Sequence, residues 1–272
     1  MQELLPDRFL ITPQQTLDAA RDAGLDDRRL AFSGIAVLTF SKGVMDRLDE
    51  RCSLADTEWL SPLHHPYAAS HVVKRGTFQG LEIMALVPPM GASPLACIVE
   101  DLVACGVRAV FLVCAAWSLG TPVQFGDLIV PAFSIGTDGT SVHYGNTSGR
   151  VSADKAVVEA LSGACRERGA TVHVGGNGSC EALYRITPRM AENFRGHGCL
   201  CVENGEASTL FAMARALGFI AGVLFQPYIN LERGWEPVRL HEARYRDTCH
   251  LQADIVLAAA VRLGRQGTSE EG

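Results

Sequence analysis

Between residues 87 and 144 the chain alternates apolar runs of strand length with one amphipathic helix, and glycines mark the turns. The near-continuous apolar run over residues 107–116 constrains the fold most. A strand that is apolar at almost every position must be covered on both faces, which requires a sheet between layers of helices. Ser93 and Pro94 open the preceding helix, the serine as a cap for free amides and the proline in the first turn. Its apolar face is Leu95, Ile98, Val99, Leu102 and Val103, and Gly106 is suited to end it. Upstream, residues 34–39 read as a buried strand, 44–54 as a helix and 76–80 as a hairpin turn before a strand at 81–87. Residues 126–130 form the next strand. Helix–strand pairs follow at 154–168 with 171–175 and at 206–218 with 219–225, and a last helix covers 249–263. The expected fold class is α/β: a single domain over residues 31–264 with a mixed central β-sheet flanked by helices. A polar segment, 1–30, precedes it, and a polar tail expected to be disordered, 265–272, follows.

Composition narrows the class of partner. The 272 residues carry a net charge of −6 and are 47% hydrophobic. Nucleic acid or an anionic membrane would favour a basic stripe, so neither is expected as a partner. No apolar run reaches membrane-spanning length, and the first residues do not read as a signal peptide, so a cytoplasmic location is expected. Nine cysteines, an odd number, sit among apolar neighbours with no Cys-x-x-Cys pair. They read as free thiols packed as small hydrophobes in a reducing compartment.

Five anchors occur in one order along the chain: Gly76-Thr-Phe-x-Gly80; Met90-Gly-Ala-Ser-Pro94 ahead of Val99-Glu-Asp-Leu; Gly126-Asp-Leu-Ile-Val with Asp138-Gly-Thr-Ser-x-His-Tyr144; His173-Val-Gly175; and Glu206-Ala-Ser-Thr-Leu-Phe211. In these the chain resembles the nucleoside phosphorylase superfamily, nearest the uridine phosphorylase branch, over most of residues 34–263. The resemblance implies cleavage of a nucleoside's glycosidic bond by phosphate, and a homodimer or higher oligomer with sites built across subunits. It implies no cofactor and no metal.

The phosphate-binding chemistry implied by that family is missing from the matching positions. Phosphate needs arginines for bidentate contacts together with free amides and hydroxyls. The family's Gly-Asp-Pro-x-Arg loop falls on Phe40-Ser-Lys-Gly-Val44, with Val44 in place of arginine. A second arginine position falls on Ala69. The motif Arg-x-Gly-Thr-x-Gly falls on Leu112-Val-Cys-Ala-Ala-Trp117, so Leu112 replaces arginine, Ala115 threonine and Trp117 a glycine of the sugar and base pocket. Lys42, Lys74 and Arg75 are the nearby cations that could compensate; as bland alternatives they are solvated surface charges.

On the sugar side, the family's Glu-Met-Glu aligns with Asn204-Gly-Glu206. Glu206 is thereby implied to hold ribose hydroxyls, with Asn204 beside the anomeric carbon. The subunit-donated histidine falls near Phe9, at Leu10. The purine branch's acid falls on Ile229 and the uridine branch's arginine on Pro227. On the base side, Leu183-Tyr184 and Arg189 match a Phe-Tyr and a pyrimidine-reading arginine by position, although an exposed arginine beside a structural tyrosine fits equally. Trp117, Leu183, Tyr184, Arg189, Gly205 and Phe225 together describe a pocket suited to a planar or hydrophobic small molecule. Outside this frame, His64-His65 with Glu58 lacks further ligands at metal spacing and reads as a polar loop. Cys180, in a glycine-rich loop, is a candidate nucleophile whose plainer reading is an inert thiol. Asp138 and His143 read as structural or subunit-contact residues.

Three functions remain open from the residues. One is an enzyme on a nucleoside or nucleoside-like substrate that uses water in place of phosphate. A second is a repurposed lyase, cyclase or transferase on an apolar substrate. The third is a non-catalytic descendant that binds a small molecule.

Overall fold

The computed structural model describes residues 9–26, 30–57, 72–136, 138–234 and 242–267. Among them seven α-helices pack on ten strands of one sheet. The helices are α1 (Pro13–Asp22), α2 (Lys42–Cys52), α3 (Ala92–Ala104), α4 (Lys155–Glu167), α5 (Pro188–Gly196), α6 (Glu206–Leu217) and α7 (Ala243–Gly267). The strands are β1 (Ile35–Leu38), β2 (Ala55–Asp56), β3 (Val73–Phe78), β4 (Leu81–Leu86), β5 (Ala109–Ser118), β6 (Leu128–Gly136), β7 (Arg150–Ser152), β8 (Val172–Ser179), β9 (Cys199–Glu203) and β10 (Ile220–Asn230). His64, His65, Glu58 and Ala69 lie outside the described residues, as do the tail residues 268–272.

Local signals explain where the helices begin. Thr12 and Gln15 form a reciprocal capping box on α1 with Pro13 behind it. Asp154 accepts from the amides of Ala156 and Val157 to open α4, and Thr187 with Pro188 opens α5. Ser93 does not cap α3 as expected. The cap lies two residues earlier, at Gly91, whose φ of 116° lets the chain swing from Pro88-Pro89 into the helix. The turn expected over 76–80 is also narrower: β3 runs through Gly76, and Gln79 and Gly80 alone make the reversal, both at positive φ.

The sheet is mixed, as the alternating pattern predicts. β5 pairs in parallel with β1 and β10 and antiparallel with β9. Because β10 also pairs β6, β6 pairs β8 and β8 pairs β9, these five strands close into a ring. β1, β4, β3 and β2 extend it on one side. The two faces of β5 divide the core. Val110 and Leu112 pack with Leu95, Ile98 and Phe211 under α3 and α6, whereas Phe111 and Val113 pack with Val44, Leu48 and Val256 under α2 and α7. This double burial is what an uninterrupted apolar strand requires.

Close approach inside the ring depends on glycine. Gly136, at φ 153°, lies against the backbone carbonyl of Ser179 on β8, where an added Cβ would collide with main-chain atoms that cannot rotate away. Gly136→Ala is therefore expected to destabilise the fold by about 1–3 kcal/mol, through overpacking and backbone strain. Urea denaturation read by circular dichroism measures this; an unchanged midpoint would refute the close-packing argument.

Candidate functional site

The carboxyl ends of β1, β4 and β5 converge with the end of β9 and the later half of β10, and two buried polar networks lie there. The first lies toward α2 and α7. Gln252 of α7 donates to the main-chain oxygens of Cys114 and Leu224 at 2.9 and 3.0 Å and accepts from Gln226 at 3.0 Å. Gln226 also donates to Cys249 Sγ at 3.0 Å, and Cys249 Sγ lies 3.2 Å from Ser41 Oγ at the start of α2. Tyr245 stacks on Phe125, with Tyr228 edge-on to it. Burial raises the Cys249 thiol above its ordinary range, so it is held as a neutral hydrogen-bonding group.

The second network holds carboxylates. Glu206 is only 2% exposed, and its Oε1 accepts from the Gly91 amide at 2.8 Å. With its amide oriented to satisfy both ends, half-buried Asn204 donates to Glu206 Oε2 and Oε1 at 2.5 and 3.0 Å. Glu203 at the end of β9 accepts from the Glu206 and Ala207 amides at 2.8 and 3.3 Å and from Asn177 Nδ2 at 2.9 Å. Burial, and then the adjacent Glu206, push the Glu203 carboxyl well above the usual carboxylate range. Sequence reasoning missed Glu203. Its signal was a charged residue ending the apolar run 199–202, immediately before the matched motif.

The remaining expected site residues divide into groups. Asn204, Gly205 and Glu206 lie together in the turn into α6. Gly205, at φ 101°, is enclosed by Ala92, Asp138 and Glu181 at 3.0–3.2 Å from where a Cβ would sit, so it serves close packing. Trp117 and Tyr184 meet edge to face at 6.0 Å, with Leu183 in the same apolar cluster as Trp117. Tyr184 is 93% exposed. Arg189 is exposed in the first turn of α5. Phe225 is fully buried in the hydrophobic core and lines no open surface. Pro227 and Ile229 border a hollow of about 20 Å³, room for one water and not for a nucleoside. A larger hollow of about 210 Å³ lies elsewhere, against Phe211, Arg215 and Phe219.

Asp138 is structural. It accepts from Ser141, Thr140, Ser208 and Thr209, tying the loop after β6 to α6. Burial alone would raise its carboxyl, yet the hydrogen bonds from Ser208, Ser141 and Thr140 bring it below the ordinary value. Cys180 is buried, like all the cysteines except Cys97, and all nine are free thiols.

Of the three positions expected to match the family's arginines, Ala69 lies outside the described residues and the other two are core. Val44 and Leu112 are fully buried and apolar, on opposite faces of the sheet. The three nearby cations are engaged elsewhere. Lys42 pairs with Asp46 at 2.7 Å and Lys74 with Asp49 at 2.8 Å. Arg75 lies over Phe32 and donates to the Ala31 carbonyl, ahead of β1 and so at the far end of that strand from Ser41.

Comparison with known proteins agrees with this frame. A family model described as the phosphorylase superfamily matches residues 34–226. The chain belongs to the phosphorylase superfamily. It is 24% identical over 242 residues to a uridine phosphorylase of Escherichia coli, covering 84% of this chain and 92% of that one. It is 26% identical over 201 residues to a guanosine phosphorylase of Halorubrum lacusprofundi, covering 74% and 80%. A uridine phosphorylase of Thermococcus kodakarensis is 25% identical over 200 residues, covering 69% and 71%. No helix among the described residues is long and apolar enough to cross a membrane.

Two outcomes test this description of a phosphorylase-superfamily site. Val44→Arg is expected to lower stability by several kcal/mol, because it forces a charge into a filled apolar position, and to create no phosphate binding; denaturation and calorimetry read the two effects. Gln252→Leu, which orphans two buried carbonyls, is expected to cost about 1–3 kcal/mol per unmade partner. A fully stable Gln252→Leu protein would show that the network is incidental.

Proposed function

We propose that this protein is an enzyme that cleaves the N-glycosidic bond of a nucleoside or nucleoside-like small molecule with water instead of phosphate. The observation that carries this reading is the contrast between its two networks. Where an oxyanion cradle needs cations, Val44 and Leu112 are buried in the core and Lys42, Lys74 and Arg75 are bound to other groups. Where a sugar needs acceptors, the Glu206 carboxylate is retained with Asn204 and the Gly91 amide fixing its orientation.

In this mechanism Glu206 exchanges its hydrogen bonds from Gly91 or Asn204 for those of sugar hydroxyls as the loop carrying exposed Met90 moves aside. The base lies outward, against the Trp117–Tyr184 edge. As the bond from the anomeric carbon to the base nitrogen breaks, its electron pair leaves with the base. Water attacks the carbon, and the proton that water loses ends on the base. The positive charge that develops on the sugar is stabilised by the nearby carboxylate. A second reading, a repurposed enzyme acting on an apolar ring, draws on the same pair, half-buried Trp117 and exposed Tyr184. Assembly into at least a dimer and a cytoplasmic setting belong to the proposal. Phe9, Leu10 and Ile11, consecutive and 70%, 95% and 73% exposed, form an apolar edge for a second copy to cover.

Incubation with pyrimidine and purine nucleosides, with and without phosphate, followed by chromatography of free base, tests the reading. Base release is expected without phosphate, and Glu206→Ala is expected to lose at least about 100-fold in rate, the scale of removing one positioned electrostatic group. Release only in the presence of phosphate would overturn the hydrolytic reading, and no release from any nucleoside would favour the second one.

A further inference from the structure

The hollow of about 210 Å³ lies at the end of α6 away from the candidate site. Arg215, in the last turn of that helix, is nine residues beyond Glu206, roughly 13 Å along the helix axis. Small side chains leave the space open. Three of its eight lining residues are alanines, and Gly218, at φ 77°, ends the helix so that the chain turns directly into Phe219 and β10. The rings of Phe211 and Phe219, 2% and 9% exposed, form its buried side. Its polar groups come from other elements: Ser152 ends β7 and Asp154 caps α4. The volume suits a ring or a branched hydrocarbon, since an apolar cavity of about 150 Å³ holds benzene.

Charge of both signs borders this hollow, and each group keeps bonding capacity in reserve. Asp154 Oδ1 accepts from the amides of Ala156 and Val157 at 2.7 and 3.4 Å, which leaves Oδ2 without a hydrogen bond among the described residues. Arg215 donates from Nη2 to the Gly145 carbonyl at 3.2 Å, which leaves Nε and Nη1 without one. Among the described residues neither side chain enters a salt bridge, with the other or with a third group. The bonds they do make anchor Asp154 to the start of α4 and Arg215 to the loop at Gly145, so the two charges are held on different elements around one apolar wall.

We propose that this hollow binds a free α-amino acid with an apolar side chain. The ligand's carboxylate takes the Arg215 Nε and Nη1 donors, the planar fork that suits a carboxylate. Its ammonium donates to Asp154 Oδ2, with the Ser152 hydroxyl as a further acceptor. The hydrocarbon side chain packs on Phe211 and Phe219, as a small-molecule pocket with a few polar groups at its edge requires. A simple carboxylate would bring its charge beside Asp154 without a partner for it, and a simple amine would meet Arg215 in the same way. The paired charges therefore select a zwitterion against either single ion. This site is separate from the turn at Glu206 and does not rest on the proposed reaction.

Isothermal titration of the native protein with L-leucine and with L-phenylalanine tests the proposal. Saturable binding of at least one is expected. The analogues that lack one charge, 4-methylpentanoate and 3-methylbutylamine or 3-phenylpropionate and phenethylamine, are expected to bind at least about tenfold more weakly. Arg215→Ala and Asp154→Asn are expected to weaken the amino acid by at least about tenfold as well; asparagine still caps α4, so that variant keeps its fold. Ala214→Leu, which fills the hollow, is expected to abolish binding, with circular dichroism checking that the fold is unchanged. Glu206→Ala is expected to leave the affinity as it is, so failure of this site and failure of the glycosidic reading are told apart. No saturation by about 10 mM, equal affinity for an analogue lacking either charge, or binding that survives both Arg215→Ala and Ala214→Leu overturns the proposal. So does an Ala214→Leu protein whose oligomeric state shifts in gel filtration while the native protein binds no amino acid, because a second copy of the chain would then be the occupant.

Discussion

Strand β5 is the constraint on which the rest of the structure depends. It pairs with β1, β9 and β10, and its two faces anchor the two halves of the hydrophobic core. A strand paired on both edges and buried on both faces tolerates neither a charge nor a missing side chain along most of its length. This explains why residues 109–114 are uniformly apolar and buried. It also explains why chemistry appears only at the strand's end, where half-buried Trp117 emerges beside the turn into α6.

The two polar networks follow from the same geometry. Midway along β5 and β10, the main-chain oxygens of Cys114 and Leu224 face α7, and Gln252 donates to both. With Gln226, Cys249 and Ser41 bound in sequence behind it, the space at the start of α2 is filled by neutral groups. On the other face, the start of α6 presents free amides, and Glu203 and Glu206 gather there with Gly91 and Asn204. Among the described residues, a site built this way has an acceptor for hydroxyls and no concentration of positive charge. That contrast is the physical basis for proposing a reaction without phosphate in a member of the phosphorylase superfamily.

Much of the fold was legible in the sequence because β5, α3, α4 and α6 each carry a strong period and clear end signals. β9 and α5 were not read. The run 199–203 is short and lies between Gly198 and the turn at Gly205. Thr187-Pro188, a sound helix start, was weighed only as part of a base-recognition match. Of the candidate site residues, Asn204, Gly205 and Glu206 share one turn and Trp117 meets Tyr184, while Phe225 is core because β10 is buried on both faces over that stretch. Glu203 and Gln252 were invisible for a different reason. Their roles depend on partners 26 and 138 residues away, Asn177 and the Cys114 carbonyl, and no local pattern encodes such a pairing.

The central claim is that neutral packing has replaced the oxyanion cradle, and isothermal titration of the native protein with inorganic phosphate tests it most directly. The account predicts no saturable heat at concentrations well above those at which phosphate-using enzymes saturate, and no rise in melting temperature alongside. Saturable binding abolished by Lys42→Ala, Lys74→Ala or Arg75→Ala would contradict it, because those cations would then have left Asp46, Asp49 or Phe32 to rebuild the site.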